Sequence, residues 1–178
     1  MLSGSSPGTS VGRMTGRGFT IIELMVALVV AAALITIGLP AFNGFLGQQR
    51  LTTYTNDLIS GIAYARSEAA KLGGVVSVQA LTADNNNEWG GGYCIVAGNP
   101  GNCNGTPLRR IAAPTAVTLD AIGGLEAIYT LSFNSRGLLV GGVGGAIQIC
   151  STDASVVNGR TLNITLVGRT MAQELTCN

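Results

Sequence analysis

From Phe19 to Leu39 the chain runs for 21 residues with a single charge, Glu23. As an α-helix this stretch would be about 31 Å long, enough to cross the hydrocarbon core of a bilayer. The residues ahead of it are rich in Gly, Ser and Thr, carry Arg13 and Arg17, and include no acidic side chain. The positive-inside rule keeps such a leader in the cytoplasm and sends everything after the span across the membrane. A secretory signal peptide also begins with a basic stretch. Here, however, hydrophobic residues continue through "LPAFNGF", and no small-x-small site is followed by a polar mature start.

Glu23 is the anomaly. A lone carboxylate costs about 3 kcal/mol at the centre of a membrane helix and less near its end. No Lys, Arg or His lies between Arg17 and Arg50 to offset that cost. A cut just before Phe19 would supply a cation, because the new α-amino group sits about one helical turn from Glu23 and at the same depth. The amine would meet Glu23 of its own chain or Glu23 of a neighbour, and in the second case it would set the register between chains.

The rest of the composition removes several function classes. There is no His, so Ser-His-Asp triads, Cys-His dyads and most zinc sites are excluded. No nucleophile motif points to an enzyme, and neither a metal nor a cofactor is expected. The net charge of +1 gives no global field that would draw the chain to nucleic acid. The cysteines are Cys94, Cys103, Cys150 and Cys177, all beyond the apolar run. An even number without a Cys-x-x-Cys pair reads as two disulfides, although four reduced buried thiols are the alternative. Three pairings are open. Spacing favours Cys94–Cys103 as a local clip and Cys150–Cys177 as a clasp, the second stabilising by roughly 3–4 kcal/mol in the chain-entropy description. Disulfides would place the region beyond residue 40 in an oxidising compartment, in agreement with the arginine argument.

Pro40, with Gly38 and Gly44 nearby, is expected to bend or interrupt a helix. Beyond it, Leu51, Tyr54, Leu58, Ile62, Ala65, Ala69 and Leu72 follow 3-4 spacing, and Gly73-Gly74 is a stop. This predicts an amphipathic helix whose apolar stripe is covered by the following domain; the stripe is Ala-rich and short for a coiled coil. On its own, "YARSEA" (64–69) is a plain exposed helix face. From Val75 the pattern turns β-branched and turn-rich. Strands are predicted at "VVSVQALTA", Tyr93–Val96, Leu108–Ile111, Val117–Leu119, Tyr129–Phe133, Leu138–Val140, Ala146–Cys150, Arg160–Leu166 and Arg169–Glu174. "FNSRGLL" reads as a hairpin with Gly137 at positive φ, and the Asn-Gly of "VNGRTL" as a second one. The class is α+β, a helix packed on antiparallel sheets.

Two acidic features read as surface. "DNNNE" (Asp84–Glu88) offers oxygen ligands for Ca²⁺ without the spacing of an EF-hand loop, so a solvated turn is the simpler reading. Asp120 and Glu126 read as surface charges. Among the cations, Arg109-Arg110, Arg136, Arg160 and Arg169 stand out. Arg160 and Arg169 flank a predicted strand and are expected near one another at one end of a sheet, where they could hold phosphates without reading sequence.

Gly18-Phe19-Thr20-Ile21-Ile22-Glu23, behind a short basic leader and ahead of an unbroken span, resembles the type IV prepilin junction. The resemblance implies that a prepilin peptidase cuts between Gly18 and Phe19 and N-methylates Phe19, and that Glu23 meets the amino terminus of a neighbouring subunit. Without Arg13 and Arg17, eight basic residues face nine acidic ones, a net charge of −1. "YARSEA", Trp89-Gly90 with Gly92-Tyr93, "FNSRG", "IQIC" and "GRTLNITLVGR" are similar to segments of the GspH/FimT class of pseudopilins and minor pilins. The likeness spans nearly the whole chain, from residue 16 to the last of these segments.

It implies a cleaved leader (1–18), a transmembrane or filament-core helix (19–39), its amphipathic continuation (40–73) and a periplasmic β-rich domain (75–178). The chain would sit in the inner membrane with a single pass, its partners other pilins or pseudopilins. It would serve as a minor subunit at or near the tip of a type IV pilus or a type II secretion pseudopilus. The alternative is a FimT-like subunit that binds DNA for uptake, linked in that class to a Gly-Arg-x-Arg motif. Gly168-Arg169-Thr170-Met171 lacks the second Arg, which leaves Arg136, Arg160 and Arg169 as the DNA candidates.

Overall fold

A computed structural model describes residues 18–81 and 87–177. The chain divides after Leu39 into two units. Helix α1, Ile21–Leu72, runs through both. Of the bend or interruption that the sequence predicted at Pro40, the interruption does not occur. A proline removes one amide donor from the ladder, and a helix long on either side retains its remaining bonds.

In the first unit, every side chain from Gly18 to Gly38 is exposed. This part of α1 is long and apolar enough to cross a membrane. Thr20 caps its start. Thr20 Oγ1 accepts the Glu23 N–H at 3.3 Å, and Leu24 N–H donates to Thr20 O at 3.2 Å. Thr20 and Glu23 thus occupy the two key positions of a capping box.

In the second unit, the stripe read from the sequence is the buried face of α1. Leu51, Leu58, Ile62, Ala65 and Ala69 are fully covered, Tyr54 packs against the same core, and Leu72 is exposed at the end. Gly73 takes φ +64°, where a side chain would be strained, and Gly74 N–H closes the helix on Ala69 O.

Among the described residues, eight strands form two antiparallel sheets. Sheet A has the order β3-β2-β1-β5: Arg109–Ile111, Tyr93–Ala97, Val76–Ala80 and Thr130–Phe133. Sheet B has the order β4-β6-β7-β8: Val117–Ile122, Gly145–Ser151, Asn158–Ile164 and Thr170–Thr176. A 3₁₀ turn, Gly123–Leu125, follows β4. Inward residues of both sheets join the helix stripe in one core, with Trp89, Phe133, Ile95, Ile147 and Leu162 among its largest members. The fold is α+β, as the sequence predicted.

One strand prediction and one turn prediction fail. Leu138–Val140 forms no strand; a single bridge from Leu139 to Phe133 is all that pairs there. The turn before it does form, with Gly137 at φ +71° and Asn134 Oδ1 accepting the Arg136 and Leu138 N–H groups. Asn158-Gly159 is not a hairpin turn but lies inside β7, opposite Thr176 and Leu175. The reason is the Cys150–Cys177 disulfide, which passes over the middle strand. A Cβ on Gly159 would fall onto Cys177 Sγ and lie 2.6 Å from Ile149 O and 3.2 Å from Cys150 Sγ. Glycine is there to let the bond across, not to turn the chain.

Gly61 plays the same part for an aromatic ring. Tyr93 Oη donates to Asp57 O at 2.7 Å, and its ring lies against the helix backbone. A Cβ on Gly61 would sit 2.6 Å from Tyr93 Oη. Burial first, and the neighbouring Asp57 second, push the Tyr93 phenol well above its ordinary range. Although alanine favours helices, Gly61→Ala should destabilise the domain by about 1–3 kcal/mol through overpacking; a denaturant titration by circular dichroism measures it.

Candidate functional site

Glu23 stands in the first turn of α1, where a carboxylate favours the helix dipole. The other polar side chains of the apolar stretch are accounted for within the helix. Thr20 accepts the cap bond, and Thr36 Oγ1 donates to Ala33 O at 2.8 Å. The Glu23 carboxylate has no hydrogen-bond or ion-pair partner among the described residues, and it is exposed. A carboxylate on an otherwise apolar, uncovered face is costly in a membrane unless a partner meets it. Gly18 and Phe19 lie immediately ahead of the helix, both exposed, and a Cβ on Gly18 would touch nothing. Arg13 and Arg17 lie outside the described residues.

All four cysteines are paired, Cys94 with Cys103 and Cys150 with Cys177. The first ties the 98–107 loop to β2. The second joins β6 to the tail after β8.

The arginines sort differently from the expectation. Arg160 and Arg169 are not at one end of sheet B. Arg160 lies early in β7, opposite Glu174, and its Nη1 is 3.5 Å from Glu174 Oε1. Arg169 is in the turn beyond Ile164, the far end of the strand. What the fold does bring together is the turns that carry Arg169 and Arg136. Gly168 lies against Phe133 and Gly137, so the turn 165–169 packs on the turn 134–138. Arg66 joins them from α1, its Nε donating to Gly137 O at 3.0 Å. Reading "YARSEA" as a plain exposed face missed this bond, because its acceptor is 71 residues away. Glu68 pairs with Lys71 at 3.3 Å.

Asp84, Asn85 and Asn86 of "DNNNE" lie outside the described residues. The other two are not a solvated turn. Glu88 is 1% exposed, and its Oε2 accepts the Ala121 N–H at 2.9 Å. Asn87 Oδ1 accepts the Leu119 N–H at 2.6 Å, while Trp89 N–H donates to Leu119 O at 3.1 Å. The three residues pair with the free edge of β4 and so join the segment after β1 to sheet B. Asp120 is correspondingly not a plain surface charge. Burial raises its pKa, as do a hydrogen bond with Glu88 and the charges of Glu88 and Glu126.

A carboxyl whose pKa is raised in the folded state binds protons more tightly there. Its stabilising contribution is present below pH 3.8, the ordinary value, and is lost as pH rises through the raised value. Asp120→Asn should therefore raise the melting temperature at pH 7 and leave it nearly unchanged at pH 3. Calorimetry at the two pH values tests this.

Comparison with known proteins agrees with this architecture. The prokaryotic N-terminal methylation motif matches residues 13–39. The type II transport protein GspH family matches residues 54–168. Two crystal structures of the type IV minor pilin FimU of Pseudomonas aeruginosa (strain PAO1) resemble the chain. One aligns at TM-score 0.57 and 28% identity over 69% of this chain and 92% of that one. The other aligns at TM-score 0.60 and 27% identity over 72% and 92%. No curated protein matches. An N-terminal methylation motif, a long N-terminal helix and a helix-on-sheets domain are the parts of a pilin-type structural subunit. The chain belongs to the GspH family, within the GspH/FimT class of the type IV prepilin superfamily.

Proposed function

We propose that the chain is a minor filament subunit anchored in the inner membrane by the first part of α1, its β-rich domain in the periplasm. A prepilin peptidase removes residues 1–18 between Gly18 and Phe19 and N-methylates Phe19. The chain then joins other pilins or pseudopilins at or near the filament tip. The observation that carries this reading is the Glu23 carboxylate, left without a described partner on an uncovered apolar helix within the methylation motif. In the filament its partner is the Phe19 amine of a neighbouring subunit. Of the two filament systems we favour the type IV pilus, supported by the likeness to FimU over 92% of its resolved chain. Deleting the gene and measuring surface pili beside secreted protein decides between them. Loss of pili with secretion intact is expected; loss of secretion alone would assign the chain to a type II pseudopilus.

A second reading, DNA binding during uptake, is favoured by one observation: the packed turns that carry Arg136 and Arg169, with Arg66 behind them. Arg160, paired with Glu174, is not part of that surface. Two phosphate contacts would contribute about 1.8 to the salt slope of DNA binding. Replacing Arg136 and Arg169 by Ala should then remove that slope and most of the affinity. An unchanged slope in a filter-binding titration excludes the reading.

A further inference from the structure

Sheet A has a second face. Val76, Val78, Tyr93, Ile95, Leu131 and Phe133 point into the core, whereas Cys94 and Val96 pack in a separate cluster with Cys103. On that outer face the register sets one row of side chains across the sheet. Arg110 stands opposite Cys94, Cys94 opposite Gln79, and Gln79 opposite Thr130. The Cys94–Cys103 disulfide holds the 98–107 loop beside the row. Between loop and sheet is a cavity of about 320 Å³, lined by Gln79, Arg110, Tyr129, Asn102 and Asn104.

Two features of this cavity are unsatisfied among the described residues. Gln79 is 4% exposed, yet its Oε1 has no hydrogen-bond partner among the described residues. A buried acceptor left unpaired costs stability, so a residue that keeps one invites a donor from outside. Arg110 is exposed on the same row. Neither ion pair among the described residues involves it, and no carboxylate is among the described lining residues. Its guanidinium offers a planar fork suited to a carboxylate. Gln79 and Arg110 are two strand spacings apart, about 10 Å between Cα atoms, and a long Arg side chain closes much of that distance.

The occupant must therefore present a hydroxyl to Gln79 and a negative group to Arg110 at the same time. The described wall sets the Gln79, Asn102 and Asn104 amides and the Tyr129 ring beside Ala80, Leu81 and Cys103, a mixed surface rather than an apolar pocket. That suits a hydroxylated ring, which packs on an aromatic side chain and bonds amides, better than an apolar peptide side chain. We propose that this cavity binds an acidic saccharide of the hexuronate class, its carboxylate on Arg110 and a ring hydroxyl donating to Gln79 Oε1.

Saturation-transfer NMR on the full chain in detergent micelles, with galacturonate as the probe and galactose as the neutral control, tests the proposal. Transfer to galacturonate is expected at millimolar concentration, and at least tenfold weaker binding for galactose. Arg110→Gln changes an exposed side chain and should reduce galacturonate binding at least tenfold. Gln79→Met should do the same while raising the melting temperature, because it removes the orphaned carbonyl. Absence of transfer from the unaltered chain, equal binding of galactose, or full binding by Arg110→Gln would each overturn the proposal.

Discussion

Glu23→Ala should leave the chain inserted in the membrane and its leader cleaved, yet reduce its recovery in sheared filaments by more than tenfold. Insertion should survive because removing a carboxylate from an apolar helix makes the span more lipid-compatible. Cleavage should survive because the helix start keeps its Thr20 cap, which uses the backbone N–H of residue 23 rather than its side chain. Incorporation should fail because the neighbour's Phe19 amine, once surrounded by packed helices, would be a charge without a counter-ion. Removing one partner of a buried ion pair costs about 3–5 kcal/mol, and 1.4 kcal/mol is already tenfold in an equilibrium. Glu23→Gln keeps a hydrogen-bond acceptor and should recover part of the loss. Immunoblots of filament and membrane fractions report all three outcomes, and normal incorporation of the Ala variant would remove Glu23 from the assembly contact.

Gly159→Val should have the largest effect on the domain itself. The added atoms would meet Ile149 O from one side and the Cys150–Cys177 bridge from the other. Either β7 shifts away from β6 or the disulfide does not close. Overpacking of this kind costs about 3 kcal/mol, and an open bridge adds the loss of the loop constraint, again about 3 kcal/mol. Thiol labelling and mass spectrometry separate the two: free Cys150 and Cys177 mean that the bond gave way, and an oxidised pair with a lowered melting temperature means that the strand moved. A variant with its bridge closed and its melting temperature unchanged would show that the strand accommodates a side chain under the bridge.

What the sequence revealed and what it hid follow a physical division. The buried face of α1 was legible because a helix repeats its contacts every three or four residues, so Leu51, Leu58, Ile62, Ala65 and Ala69 announce themselves. Gly73 and Gly137 were legible because each takes positive φ, which is a local demand. Gly159 was misread because its reason is a bridge between residues 150 and 177; the Asn-Gly pair looks the same in a turn and under a disulfide. Glu88 was misread because the groups that bury it, Ala121 and Asp120, lie more than thirty residues away. The arginines were visible as residues but not as a surface. Only tertiary packing sets the turn of Arg136 against that of Arg169, and only strand register gives Arg160 to Glu174.

The clasp has a mechanical side. Among the described residues β8 is the last strand; it lies at the edge of sheet B and is exposed along most of its length. Pulled from its Cys177 end, an unfastened edge strand would come away like a zip, breaking its bonds to β7 one at a time under a small force. The covalent link from Cys177 to Cys150 ties that end to β6. A pull there is passed past β7 into the sheet interior, where it must load many bonds together. In a subunit of a filament that bears tension, the bridge converts the strand most easily peeled into one that yields only with its sheet.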